Sequence, residues 1–356
     1  MAKLEETLAR IGELDAEAMR AARSRQDQLT KPAGALGILE DISIKVAGIT
    51  GEALPRTGRK VVLVMAADHG VTAQGVSLYP RDVTAQMARN FLAGGAAINV
   101  LARHVGAEVR VVDVGIAGDV EAEGLSVRKV RRGTADMSEG PAMSRGEAVA
   151  CVEAGIAVAE EELAAGAAFL AAGDMGIGNT TPSSAILAAF GGYTAEEVAG
   201  RGTLVNDEVM NLKIRAIGRA LEINRPDPED GLDVLAKVGG LEIAGLAGVI
   251  LGAAARRVPV LIDGFITTAA ALVACRLQPK ARDYMIPSHL SGEQGHRLML
   301  EYLGLSPLVH LKMRLGEGTG AALTMHLVEA ATKIMREMAS FDEAGVSDLD
   351  EEKILK

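Results

Sequence analysis

Four short clusters along the chain carry side chains or backbone capable of chemistry. The first, Gly173-Asp174-Met175-Gly176-Ile177-Gly178-Asn179-Thr180-Thr181, follows an apolar, β-type run and precedes the helix-forming segment 183–189. Glycines at such a place let backbone N–H groups approach a phosphate, and the following helix N-terminus adds partial positive charge. The loop meets neither the G-x-G-x-x-G spacing, since the last position counted from Gly176 is Thr181, nor the G-K-[ST] end of a P-loop. A tight βα turn with Thr180 or Thr181 as N-cap is the alternative. In the second cluster, Arg314-Leu315-Gly316-Glu317-Gly318-Thr319-Gly320, the glycines on either side cannot cover the Glu317 carboxylate, and ordering them costs entropy. That suits a general base; a helix-start carboxylate favoured by the macrodipole is the other reading.

Asp68-His69-Gly70 is the third cluster, continuing into 75–80 and a helix with Gln86 and Met87. An Asp-His pair could be a base with its orienter, a metal site or a structural turn, and no other His or Cys stands at ligand spacing to complete a metal site. The fourth, Asp263-Gly264-Phe265-Ile266-Thr267-Thr268, offers a carboxylate for a ribose hydroxyl or for capping a helix. Lys213, Ser288-His289, Glu293 and His296 are further polar candidates. A lone lysine is more often solvated, and the two histidines are more often satisfied structural residues than ligands.

These tips need elements to hold them. β-branched apolar runs over 60–66, 108–114, 127–130, 168–172, 259–262 and 284–286 alternate with helix-period segments, including 145–164, 206–221, 266–275 and 319–338. The expected fold is therefore α/β: a largely parallel, Rossmann-like sheet of six strands with helices on both faces. Ligands of such sheets bind at the carboxyl ends of the strands, where the clusters after 60–66, 168–172 and 259–262 fall; the Glu317 cluster stands just before the last helix. An amphipathic helix is expected over 5–28, and the terminal helices should pack together. The expected partition is a large α/β domain, 50–318, and a small helical domain from 1–49 and 319–356.

Composition narrows the ligand. The net charge of −10, without a Lys/Arg-rich block, argues against nucleic acid. Aromatic residues make up 3% of the chain, so a flat ligand would be held mainly by aliphatic side chains and Met. The two cysteines, Cys151 and Cys275, lie in Ala/Val/Leu-rich helical patterns and suggest buried thiols, with neither a disulfide framework nor a metal site. A charged N-terminus and the lack of a membrane-span pattern lead to the expectation of a cytoplasmic protein with no membrane partner.

Taken in order, the clusters resemble the CobT family of nicotinate-nucleotide:dimethylbenzimidazole phosphoribosyltransferases. The resemblance spans nearly the whole chain: Leu29 to Gly37, Ala67-Asp68-His69-Gly70-Val71, Gly75 to Pro80 with Val83 to Met87, Gly173 to Thr181, Gly239 to Ala244, Asp263 to Ile266, Ser288-His289 and Arg314 to Ala321. It implies a homodimer that moves phosphoribose from nicotinate mononucleotide to 5,6-dimethylbenzimidazole, giving nicotinate and α-ribazole phosphate for the nucleotide loop of cobalamin, with no cofactor. It further implies Glu317 as catalytic base. The nucleotide would lie against Asp174, Met175, Gly176, Ile177, Gly178, Asn179 and Thr180, with Gly202, Thr203 and Gly264 nearby, Lys213 at the phosphate end and Asp263 at the ribose. Ser77, Tyr79, Gln86 and Leu315 would hold the base. Two residues depart from the family's pattern: Asp174, where Glu is usual, and Leu204, where relatives carry a smaller or polar residue. A transferase dependent on phosphoribosyl diphosphate would show two adjacent acidic residues ending a strand, and neither Asp68-His69 nor Gly173-Asp174 fits.

Overall fold

The computed structural model describes residues 1–56, 58–200 and 206–347. Among them are six strands: β1 (Arg59–Ala67), β2 (Ala107–Gly115), β3 (Ser126–Val127), β4 (Ala167–Met175), β5 (Val260–Ile262) and β6 (Met285–Pro287). They form one sheet in the order β3-β2-β1-β4-β5-β6, every neighbouring pair parallel. β1 is buried from Lys60 to Ala67. Successive side chains on a strand point to opposite faces, so unbroken burial means that both faces are covered, as parallel sheets require.

Two strands differ from their expected extents. β4 runs on to Met175 because its last residues pair with Val64, Met65 and Ala66 of β1, which makes Gly173 and Asp174 strand residues. β3 shrinks to Ser126–Val127, while the amides of Arg128 and Val130 still bond the carbonyls of Asp113 and Val114. The strand order reverses between β1 and β4. A crevice at such a switch point lies beyond the strand ends, flanked here by the segments after residues 67 and 175.

Helices Arg145–Ala164, Asp207–Asn224, Phe265–Leu277 and Thr319–Glu337 fall where the periodicity placed them. The amphipathic stretch near the N-terminus is two helices, Ala16–Gln28 following Ala2–Arg10. The break has a local cause: Asp15 accepts the amides of Glu17 and Ala18 and starts a new helix. Helix Leu241–Ala255 lies against Arg145–Ala164 so closely that a Cβ at Gly155 or Gly248 would strike the carbonyl oxygen of Gly245 or Val152.

The chain divides into two compact units, Met1–Gly12 with Gly58–Met325, and Glu13–Thr57 with His326–Lys356. This differs from the expected boundaries chiefly in residues 1–12. They cluster with the sheet because the Met1 ammonium bonds Glu153 at 2.6 Å, the Leu4 amide bonds the same oxygen, and Gln278 reaches the Leu8 carbonyl. The smaller unit holds Ala22, Ile44, Ala47 and Met335 in its own core. Among the described residues no helix is long and apolar enough to cross a membrane.

Candidate active site

A cavity of about 360 Å³ opens beyond the carboxyl ends of β1 and β4. Its floor is the run from Asp174 to Thr180, and Val76, Ser77, Leu78, Tyr79, Val83 and Met87 line it together with Arg314 to Glu317. Gly264, Phe265 and Ile266 after β5, with His289, Ser291 and Glu293 after β6, complete it. The first, second and fourth sequence clusters thus meet in one place with the 75–80 continuation of the third, where the segments after β1, β4, β5 and β6 converge.

The floor presents backbone. Gly178 sits at φ +88°, a left-handed conformation that favours glycine, just ahead of helix Thr180–Gly191. Thr84 accepts the Ile177 amide at 3.1 Å, which fixes the loop's height. Lys213 is 1% exposed and donates from Nζ to the Thr180 hydroxyl and the Gly200 carbonyl, each at 2.8 Å. Burial lowers its pKa to about 8, against the opposing charge of Glu293. A cation therefore stands behind Thr180, at the N-terminus of a helix, which is where an anion is most favoured.

Glu317 is held differently. Gly316, Glu317 and Gly318 are all left-handed, at φ +83°, +63° and +87°. For a residue with a Cβ that conformation costs about 1–2 kcal/mol, so the surroundings must impose it. They do so by contact: a Cβ at position 173 would lie 2.6 Å from the Glu317 carbonyl oxygen, so only a glycine strand lets the loop settle there. The Glu317 carboxylate lines the cavity while remaining 6% exposed, and its Oε2 accepts the Ile98 amide at 3.3 Å, in the first turn of helix Ala97–Val105. Burial raises its pKa above the ordinary glutamate value, partly offset by that amide. A carboxylate so raised is a better proton acceptor than a solvated one.

Asp174 accepts from the Asn179 amide at 2.9 Å, and its oxygens lie 3.2 Å from where a Gly316 Cβ would stand. Burial, then the charges of Asp263 and Glu242, hold its pKa well above the ordinary range. Asp263 lies apart from the cavity lining: its carboxylate accepts the amides of Gly318 and Ala321, at 3.2 and 2.9 Å, and caps the helix that follows Glu317. Burial pushes its pKa up to about 7, opposed by those N–H groups. Asp263 thus caps the helix that begins at Thr319, not the one it precedes in sequence, whose N-cap Gly264 makes no side-chain bond. Gln86 is exposed and lies outside the lining; its neighbour Met87 faces the cavity. Gly202, Thr203 and Leu204 lie outside the described residues.

Asp68 and His69 do not work as a base with its orienter. The Asp68 carboxylate accepts the Ala117 amide at 2.7 Å, while His69 pairs with Glu242. His296 is buried against the Thr268 hydroxyl, a structural histidine as expected, with burial lowering its pKa to about 3. His289 lines the cavity while meeting the Ser288 hydroxyl at 3.2 Å, and burial lowers its pKa too. Thr84 and Met87 stood in the quoted stretch 83–87 without a role, and Ile98 escaped the sequence reading; only the Gly94-Gly95 pair ahead of Ile98 signals a helix start there. Among the described residues no group of three or more His, Cys, Asp or Glu could hold a metal ion, and both cysteines are free.

The sequence profile of a phosphoribosyltransferase family matches residues 11–346. The chain is similar to the nicotinate-nucleotide–dimethylbenzimidazole phosphoribosyltransferase of Desulforudis audaxviator, 60% identical over 97% of this chain and 98% of that one. The Chloroflexus aggregans protein of the same name is 58% identical over 99% and 100%. A crystal structure of the Thermus thermophilus enzyme of that name superposes with a TM-score of 0.89 at 48% identity, covering 94% of this chain and all of that one. With identity so high and coverage so complete, the chain belongs to the nicotinate-nucleotide–dimethylbenzimidazole phosphoribosyltransferase family.

Proposed function

We propose that the protein transfers phosphoribose from nicotinate mononucleotide to 5,6-dimethylbenzimidazole, releasing nicotinate and α-ribazole phosphate for the lower-ligand loop of cobalamin. The observation that carries this reading is the meeting, in one cavity, of a glycine-rich anion cradle, an apolar wall and a buried carboxylate.

The pyridinium of nicotinate mononucleotide becomes neutral when its C1′–N bond breaks, so the leaving group asks for no proton. The enzyme then has two tasks. It must hold the phosphoribose, for which the backbone of Gly176 and Gly178, the helix start at Thr180 and Lys213 behind it supply the positive end. It must also take the proton from one benzimidazole nitrogen while the other attacks C1′ from the opposite face, turning a β-nucleotide into an α-product. Glu317 is the group poised for that step, and general-base help of this kind contributes about 10²–10⁴-fold, orientation supplying much of the rest. The base would lie against Ser77, Tyr79, Met87 and Leu315. Such a wall selects by shape, separating bases that differ by a methyl group by only about 1–3 kcal/mol. Homodimerisation and a cytoplasmic setting belong to the same proposal; Leu78, Tyr79 and Leu315, each about half exposed at the cavity, offer apolar surface that a second copy could cover.

The test is incubation of the purified protein with nicotinate mononucleotide and 5,6-dimethylbenzimidazole, with and without a chelator, followed by mass spectrometry. Chelator-resistant α-ribazole phosphate and nicotinate in equal amounts are expected. Nicotinate without ribosylated base would point to another acceptor, and no reaction would overturn the proposal.

A further inference from the structure

Two motifs that the proposed chemistry leaves unused meet beneath the phosphate cradle. His69 follows β1, and Glu242 opens helix Leu241–Ala255, 173 positions later. His69 Nε2 and Glu242 Oε1 stand 2.7 Å apart, with side-chain exposures of 1% and 0%. Neither lines the cavity, so neither touches a substrate seated there.

What they touch is the loop. A Cβ at position 176 would lie 2.7 Å from the Ala67 carbonyl oxygen, 3.0 Å from His69 Nε2 and 3.3 Å from Glu242 Oε1, so the Gly176 backbone rests directly on the pair. The chain leaving His69 extends this support. The Thr72 hydroxyl donates to the His69 carbonyl at 2.7 Å, and its methyl lies 2.7 Å from the place of a Gly178 Cβ. Between the two glycines, Ile177 donates to Thr84. Three successive residues of the cradle are thus fixed from below.

The pair is not arranged for greatest stability. Taking two ionisable groups out of water is recovered only when their remaining atoms are satisfied, and Glu242 Oε2 has no hydrogen-bond partner among the described residues. That oxygen is pressed instead toward Gly240, 2.8 Å from where a Cβ would stand. An apolar pair of similar volume would fill the space without leaving an oxygen unsatisfied, but it would not fix the direction of His69 Nε2 under Gly176.

We propose that His69 and Glu242 are positioning residues that hold the 176–178 backbone in register for the phosphoryl group of the nucleotide. This rests on the reading of the cavity as a nicotinate mononucleotide site.

Glu242→Gln keeps the shape and removes the charge. The expected result is a rise of about tenfold in KM for nicotinate mononucleotide, with kcat and KM for the base changing by less than about threefold. Amide hydrogen exchange should quicken in 174–180 and stay unchanged elsewhere in the sheet unit. His69→Leu should behave alike, whereas His69→Gln, which keeps an N–H donor toward Glu242, should recover most of the nucleotide affinity. An unchanged KM in a folded Glu242→Gln protein, or a fall in thermal stability with kcat and both KM values moving together, would overturn the proposal. Should Glu242→Gln not fold, the same KM ratio between His69→Gln and His69→Leu decides. Wild-type turnover in the same assay tests the reaction itself; if it is absent, the exchange rates of 174–180 still show whether the pair holds the loop.

Discussion

The loop after β4 and the loop before the last long helix line one cavity and touch, Gly173 against the Glu317 carbonyl and Asp174 against Gly316, yet they are built on opposite principles. The first presents backbone: its glycines bring N–H groups forward, and its stiffness comes from His69, Thr72 and Thr84 underneath. The second presents one side chain, and glycines on either side of Glu317 let a strained residue hold a left-handed conformation. An anion cradle can be relaxed, since it needs only oriented dipoles. A general base must be aimed, and here the aim is kept by contacts that outweigh the backbone's own preference: Asp263 on the amides of Gly318 and Ala321, Gly173 against the Glu317 carbonyl, and Ile98 on the carboxylate.

The sharpest way to break the contrast is Glu317→Gln. It keeps shape and strain but removes the proton acceptor, so turnover should fall by about 10²–10⁴-fold while KM for nicotinate mononucleotide holds within a few-fold. Steady-state kinetics on both substrates checks this, and equal turnover in the two proteins would remove Glu317 from the mechanism. Lys213→Met strikes the other loop: the cation behind Thr180 is lost, and KM for the nucleotide should rise about tenfold or more, kcat changing less. If kcat alone fell, the cradle would serve the transition state and not the bound nucleotide.

Glu317→Gly tests strain directly. Relief of the left-handed penalty and removal of a buried carboxylate should stabilise the fold by about 1 kcal/mol, net of the extra freedom glycine gives the unfolded chain. Calorimetry should therefore find a higher Tm in an inactive protein, and a lower Tm would mean that the Ile98 contact outweighs the strain.

The smallest effect concerns pH. Asp174 and Asp263 have folded-state pKa values above their ordinary ones because they are buried. Between about 4 and 7 the folded protein therefore binds more protons at these sites than the unfolded chain, so their contribution to stability falls as pH rises. Asp174→Asn abolishes its share, and the difference in Tm between variant and wild type should move in the variant's favour from pH 5 to pH 8. A difference independent of pH would show that the folded-state pKa of Asp174 is not raised.

Much of the fold was legible along the chain because periodicity is local. Runs that are buried on both faces read as parallel strands, and helix Arg145–Ala164 begins and ends where its Ser144–Glu147 capping box and its apolar pattern place it. The glycine clusters likewise marked the cavity, since a backbone that must approach a ligand advertises itself by lacking side chains. Less legible was anything that depends on who stands opposite. Asp263 could cap a helix or hold a ribose on sequence alone, and only the arrival of 318–321 beside it settled its partners. Gln86 and Met87 differ by one position, yet a helix turns each residue by about 100°, so docking of Val83–Leu92 decided which one faces the cavity. His69 found Glu242 from 173 residues away, and no spacing rule reaches that far. The sequence by itself determined the strands, the glycine tips and the family, because these are written in local residue types. Tertiary structure alone decided the directions of the buried carboxylates, because burial leaves each of them to whichever amide or ring the packing brings within about 3 Å.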